Sequence, residues 1–291
     1  MIPTVLELGA DTIVWLQQFQ GWLPNTLLRA VSALGGMGYL FLAPLLLWCV
    51  DRRLGLRVLL LMALTLYVNT LIKELVALPR PFQVDPRVVS QGEYGYSFPS
   101  GHAQLVVVFW GMIAHACARR AVTVLALAMI FLTGLSRVYL GVHYPSDVIS
   151  GWALGALMLW LWLRWEPAFH RLLETRRQRV LAVLGVAGGL ALISLAVGAE
   201  PMLLGCVGFG LAVGLASIFP SRAEGSAGTG VVRNIGRYVL GMAATLLLIQ
   251  GLTMAVGWSP LPPAVNVLVA LALLGAVVAA VLPGVFQRLR I

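Results

Sequence analysis

Long apolar runs, repeated along the chain and separated by short connections, leave this sequence few folds to choose from. Nine of them approach membrane length: 35–50, 54–78, 101–118, 121–141, 147–164, 180–198, 201–219, 236–257 and 263–284. About 20 apolar residues in a helix cross the ~30 Å of hydrocarbon in a bilayer. Inside that hydrocarbon only helices and closed barrels satisfy their own backbone groups. These runs are too long for strands, so the sequence predicts an all-α fold, a polytopic transmembrane helical bundle of about nine spans. Composition agrees: of 291 residues, 60% are hydrophobic and only 11% charged, under half the charge of a typical soluble domain. No stretch reads as a soluble domain.

The first residues break the pattern. Between 3 and 34, Glu7, Asp11, Gln17, Gln18 and Gln20 alternate with Leu, Trp and Phe, which predicts an amphipathic interfacial segment. Three regions follow from this: an interfacial segment over 1–34, a helical core over 35–165, and a four-helix membrane extension over 166–291. A Gly/Ser loop is expected at 221–234. The opening Met1-Ile-Pro carries no basic run, so no cleavable signal peptide is expected. Cys49, Cys117 and Cys206 lie in or beside apolar runs and are odd in number, so they read as packed free thiols rather than a disulfide framework. Gly185, Gly188 and Gly189, and the glycines from Gly205 to Gly214, read as close helix contacts.

The net charge of +9 would suggest nucleic acid in a soluble protein. Here the arginines stand at span ends, so no nucleic-acid partner is expected, and membrane lipids and topology account for them. With alternating spans, 15 of the 20 basic residues fall on one face, Arg52, Arg53, Arg119 and Arg120 among them. The other face receives Arg29, Lys73, Arg80, Arg87 and Arg137. Basic residues gather on the cytoplasmic side. The expected topology is therefore a plasma-membrane (bacterial inner membrane) protein with a cytoplasmic C-terminus.

Three polar segments from separate junctions end on the basic-poor, outer face. Lys73 through Arg80-Pro81 closes the second run. Pro99-Ser100-Gly101-His102 opens the third. Ser136-Arg137 through His143 to Asp147 joins the fourth to the fifth. Lys73, Arg80 and Arg137 are three cations with little local anion, a pattern suited to a compact polyanion such as phosphate. Ser100 and Gly101 stand at a predicted helix N-terminus, where free N–H groups and the helix dipole also favour phosphate. Gly101 would let the backbone approach an oxygen closely, and Ser100 would also cap the helix. Of the two histidines, His102 and His143, one can attack phosphorus while the other protonates the leaving oxygen. Asp147, four residues beyond His143, is placed to accept from one ring nitrogen. The nearby acids Glu74, Asp85, Glu93 and Asp147 are scattered and sit among cations, so no metal and no cofactor is expected.

Lys73-x6-Arg80-Pro81, Pro99-Ser100-Gly101-His102 and Ser136-Arg137-x5-His143-x3-Asp147 resemble the three signature motifs of the type 2 phosphatidic acid phosphatase superfamily, in order and complete, over about residues 54–164. The resemblance implies a metal-independent phosphatase working through a phosphohistidine. His143 would be the nucleophile, Asp147 its orienting partner, and His102 the general acid and later base. Lys73, Arg80, Ser100, Gly101 and Arg137 would hold the phosphate. Only two runs carry the chain to Lys73, and four follow the fifth. That layout is closer to the glucose-6-phosphatase and sphingosine-phosphate phosphatase branches than to six-span lipid phosphatases. The expected substrate is a lipid phosphate monoester or diphosphate, such as undecaprenyl diphosphate or a phospholipid phosphate, at the outer face. The alternatives are a soluble sugar phosphate such as glucose-6-phosphate, a lipid-phosphate carrier that does not hydrolyse, and a phosphotransferase.

Overall fold

The computed structural model describes residues 2–19, 21–90, 92–198, 200–219 and 230–289. Most of the 221–234 loop therefore lies outside the described residues. Among those described, every regular element is helical. The N-terminal segment forms α1 (Ile2–Gln17) and α2 (Trp22–Leu34). α3 (Tyr39–Leu45) runs into a π-helical turn at Leu46–Val50. Then follow α4 (Arg52–Val76), a single turn α5 (Pro81–Val84), α6 (Gly101–Cys117), α7 (Arg120–Tyr139), α8 (Pro145–Leu172), α9 (Arg176–Ala196), α10 (Pro201–Ile218), α11 (Val231–Trp258), α12 (Pro263–Ala276) and, after a second π-helical turn, α13 (Leu282–Arg288).

Each of the nine apolar runs carries a helix, but among the described residues seven reach spanning length and apolarity, or eight when the bent pair Pro24–Leu34 and Tyr39–Val50 is counted as one. The shortfall has two sources. Run 35–50 is broken at its start by the glycine turn before Tyr39, which bends that pair by 50°. Run 101–118 yields the 17-residue α6, slightly short of the ~20 that cross hydrocarbon. Leu192, Leu247 and Met254 are exposed on α9 and α11, as a lipid-facing surface requires.

The caps are local chemistry. Pro145, Pro201 and Pro263 each open a helix, where a missing N–H costs nothing. Thr175 accepts from Gln178 N at 3.2 Å while Gln178 reaches back to Thr175 N at 2.9 Å, a capping box before α9. α4 and α6 end on residues in the left-handed region, Ala77 (φ 49°) and Ala118 (φ 50°).

The chain divides into two compact units that do not follow chain order. The first holds Met1–Tyr39 and Val68–Leu163. Its core joins Ala10 and Ile13 of α1 to Val88, Ala103, Val138, Tyr144 and Val148. α8 lies unusually close to α6. A Cβ on Gly151 would stand 2.6 Å from the Ser100 carbonyl oxygen, and one on Gly155 would stand 2.6 Å from that of Gln104. The second unit holds Leu40–Tyr67 and Arg164–Ile291. Within it Trp48 Nε1 donates to the Val278 carbonyl at 3.0 Å, Tyr67 Oη donates to the Leu190 carbonyl at 2.8 Å, and Arg57 pairs with Glu166. Gly208 of α10 backs onto the Leu268 carbonyl of α12, as the glycine pattern predicts, whereas Gly185, Gly188 and Gly189 of α9 meet nothing within 4 Å. All three cysteines are free; Cys206 is buried and Cys117 exposed.

Candidate active site

Four helix ends in the first unit deliver the motif residues. Lys73 lies in the last turn of α4, and the chain leaves that helix through Ala77, whose N–H closes on the Lys73 carbonyl at 2.8 Å. Arg80 follows in extended conformation just before α5. Ser100 and Gly101 open α6, and Arg137 sits in the last turn of α7. His143 falls in the connection to α8, and Asp147 in the first turn of that helix. The helix ends are tied together: Ser100 N donates to the Asp147 carbonyl at 3.0 Å, and Arg80 Nη1 to the Val142 carbonyl at 3.0 Å. Buried Asn69 of α4 donates to the Pro99 carbonyl at 3.2 Å and to Gln104 Oε1 at 2.9 Å, bracing the start of α6.

Buried Arg80 and half-buried Lys73 need partners in the protein, and a carbonyl loop supplies them. Arg80 donates through Nε to Gly95 O (2.9 Å) and through Nη2 to Tyr94 O (2.8 Å). Lys73 Nζ donates to Tyr96 O and to Ser97 O at 3.2 Å. Gly95, at φ +75°, turns the backbone so that four successive carbonyls point at two cations. These partners are backbone oxygens, so residue identity in the sequence does not show them.

His143 and Asp147 are fully buried. The imidazole presents Nδ1 to Asp147 Oδ2 and to Ser97 Oγ, each at 3.5 Å, and Nε2 to Arg80 Nη1 at 3.4 Å. Both Nδ1 contacts are long for hydrogen bonds. Asp147 Oδ2 is fixed more tightly by Ser97 Oγ (2.5 Å) and by Tyr144 N (2.9 Å). Ser97 thus stands between the motif pair, a residue the motifs do not contain. Burial, then the nearby charges of Arg137, Lys73 and Arg80, hold the His143 imidazole well below its ordinary pKa of 6.5, against a weaker opposing contact from Ser97. The ring is neutral at ordinary pH, with Nε2 on the side of the cations.

Arg137 and Arg80 share a second partner unforeseen in the sequence. Glu93 pairs with Arg137 Nη2 and lies 3.4 Å from Arg80 Nη1. Its carboxylate stands where the two guanidiniums converge. Arg137 Nη1 also donates to Ser32 Oγ of α2 at 2.6 Å. Two expectations need correction. Ser100 occupies the N-cap position but its side chain makes no capping bond; its buried Oγ has no partner among the described residues. The side of Gly101 that lacks a Cβ faces Asn69 Oδ1, 3.0 Å from where that Cβ would be, so its bareness serves packing against α4. Arg137 Nε and Asp147 Oδ1 are likewise buried and unpartnered, and native proteins rarely leave such groups unpaired without a reason. His102, the second residue of α6, lies against the turn at Gly36. Among the described residues no group of three or more His, Cys, Asp or Glu gathers to ligate one metal ion.

Comparison with known proteins adds an independent line. Residues 54–171 match the PAP2 superfamily model, a span that contains all three motifs. Lipid phosphate phosphatase delta of Arabidopsis thaliana is 29% identical over 53% of this chain and 41% of its own. An undecaprenyl-diphosphatase of Sulfolobus acidocaldarius is 32% identical over 41% of this chain and 58% of its own. Phosphatidylglycerophosphatase B of Bacillus subtilis is 32% identical over 49% of this chain and 74% of its own. The chain thus spans about half the length of the first two relatives, and nearly three quarters of the third. The motifs, the helix ends that gather them and the match to that third relative agree: this chain belongs to the PAP2 superfamily.

Proposed function

We propose that the protein is a metal-independent membrane phosphatase acting on a lipid phosphate monoester or diphosphate through a phosphohistidine. One observation carries the reading: Lys73, Arg80 and Arg137 converge with the start of α6 around the His143 imidazole, whose Nδ1 faces Asp147. The phosphoryl oxygens would lie among the three cations and the Ser100 and Gly101 end of α6, with Ser100 Oγ and Arg137 Nε taking up the partners they lack. This cationic environment would repel a divalent ion and suits a dianion instead.

The chemistry then runs in two displacements. The Nε2 lone pair of His143 attacks phosphorus, and the bond from phosphorus to the leaving oxygen breaks. That oxygen keeps the electron pair and takes a proton from His102. His102, now neutral, accepts a proton from water as the water oxygen attacks phosphorus. The nitrogen–phosphorus bond breaks, and inorganic phosphate leaves with His143 free again. Asp147 orients the ring and stabilises the charge it gains, with Ser97 holding Asp147. Fixed donors aimed at the charge that develops on phosphoryl oxygens supply the largest share of such catalysis.

A lipid substrate is supported by the apolar surround and by the relatives, which are named for lipid phosphates, undecaprenyl diphosphate and phosphatidylglycerophosphate. The placement of basic residues favours an outward-facing site, a cytoplasmic C-terminus and, for a bacterial source, the inner membrane. In this reading the 35–165 core carries the chemistry, the 1–34 segment flanks it and the 166–291 helices form a non-catalytic extension. The test is phosphate release in excess EDTA from undecaprenyl diphosphate, phosphatidic acid, phosphatidylglycerophosphate, sphingosine phosphate and glucose-6-phosphate. The reading expects release from a lipid substrate and none from the His143→Ala variant. Release from glucose-6-phosphate alone would replace the lipid with a sugar. Binding without release from any of them would mark a carrier.

A further inference from the structure

We propose that Ser32 and Gly36 are positioning residues of this site: Gly36, by lacking a Cβ, lets the tip of the His102 ring seat against the turn and so sets the direction of the ring, and Ser32 steadies Arg137. Both precede residues 54–171, the part that matches the family model, so no signature motif assigns them. The inference rests on the phosphatase reading above.

Ser32 lies in the last turn of α2, buried to 6% exposure, and its Oγ accepts from Arg137 Nη1 at 2.6 Å. Arg137 is itself 5% exposed, so each of its donors must be met inside the protein or by a ligand. Four residues on, the chain has left the helix and makes a tight turn, with Gly38 N bonded to Ala33 O at 2.7 Å and Tyr39 N to Gly36 O at 3.1 Å. Gly36 sits at the centre of that turn. A Cβ there would stand 2.2 Å from His102 Nε2, 2.9 Å from Cδ2 and 3.1 Å from Cε1. Atoms that close cannot coexist, so any side chain at 36 forces the ring to turn. Nε2 points at the bare face of Gly36, and the turn thereby fixes the direction of the ring that serves as the general acid. The turn is anchored at both ends to helices that carry the site. Ser32 holds α7 through Arg137, and the Tyr39 ring packs at a 42° tilt against Phe109 of α6 with centroids 4.7 Å apart. Such anchoring keeps Gly36 against the ring and makes the bare Cα a fixed part of the wall.

The test exploits leaving-group chemistry. General acid help is worth ~10²–10⁴ to a poor leaving group and little to a good one. Gly36→Ala should lower kcat for a simple alkyl phosphate by at least ~30-fold, but for p-nitrophenyl phosphate by no more than ~3-fold. A purely structural lesion would lower both alike, and that result overturns the inference. In parallel, ¹⁵N-histidine NMR of the detergent-solubilised protein reads the ring itself. The His102 signal, identified by its loss in His102→Gln, should move in Gly36→Ala, and an unmoved signal also overturns the proposal. Should Gly36→Ala fail to fold, the Ser32 pair decides. Ser32→Ala should weaken inhibition by orthovanadate about tenfold, the loss of one charge-assisted hydrogen bond, and Ser32→Thr should restore it. Failure of threonine to do so overturns the role of the hydroxyl. A wild-type protein that releases phosphate from neither ester counts against the phosphatase reading instead, and the histidine signal still decides whether Gly36 sets the ring.

Discussion

At the scale of single residues, the environment of His143 decides its protonation state. Its folded-state pKa lies well below 6.5, so the ring stays neutral as pH falls through 6.5, where an unfolded histidine takes up a proton. The sign follows: the free energy gained by keeping this ring neutral is fully present above 6.5 and lost as pH drops toward the folded value. The His143 signal in an NMR titration should therefore remain that of a neutral imidazole at pH 6; a midpoint near 6.5 would contradict the account. Asp147→Asn should leave folding intact but cut turnover by ~10²–10⁴, because the ring loses orientation and charge support. Ser97→Ala, which removes one hydrogen bond to Asp147, should cost roughly 2–10-fold. Steady-state rates of the two variants check that order.

Much at this scale was legible. The motif residues Lys73, Arg80, Ser100, Gly101, His102, Arg137, His143 and Asp147 stand at or beside the ends of α4, α6, α7 and α8, and their roles remain those proposed above. What spacing does not show is how they are held. The carbonyls of Tyr94 to Ser97 hold Lys73 and Arg80 through backbone geometry, which leaves no mark on residue type except Gly95. Glu93 reads as one of several scattered acids until the fold brings it onto Arg137 and Arg80. Ser32 is a single serine 105 residues from Arg137, and nothing local announces a contact across that distance.

At the scale of elements, the site depends on α6 and α8 starting side by side. Gly151 and Gly155 permit this, since each faces a backbone carbonyl of the Ser100–Gln104 turn. Gly155→Leu should wedge the helices apart and destabilise the protein by about 1–3 kcal/mol, the usual cost of overpacking. Gly251→Leu on α11, where a Cβ meets nothing within 4 Å, serves as the control and should be near neutral. Thermal unfolding in detergent compares the two, and equal effects would contradict the packing argument. The helices themselves were readable from hydropathy, since lipid imposes one rule on every span. The break at Gly35 to Gly38 was not, because glycine inside an apolar run is also common in uninterrupted spans. The same ambiguity explains why Gly208 packs against α12 while Gly185 on α9 faces open space.

At the scale of the whole molecule, the chain is a membrane protein in which one compact unit gathers every motif residue. The second unit, made largely of residues after 164, contributes none of them. Composition makes the membrane legible at once; the division into units is not, because Leu40–Tyr67 joins the C-terminal helices rather than its sequence neighbours. The central claim is that His143 carries the phosphoryl group between lipid and water. The measurement that tests it most directly is rapid acid-free quenching of the purified protein with a ³²P-labelled lipid phosphate, followed by analysis of the labelled protein. The account predicts a label that survives alkali, is lost in acid, and is absent from His143→Ala. Turnover without any such label, or a label that persists in His143→Ala, would contradict it.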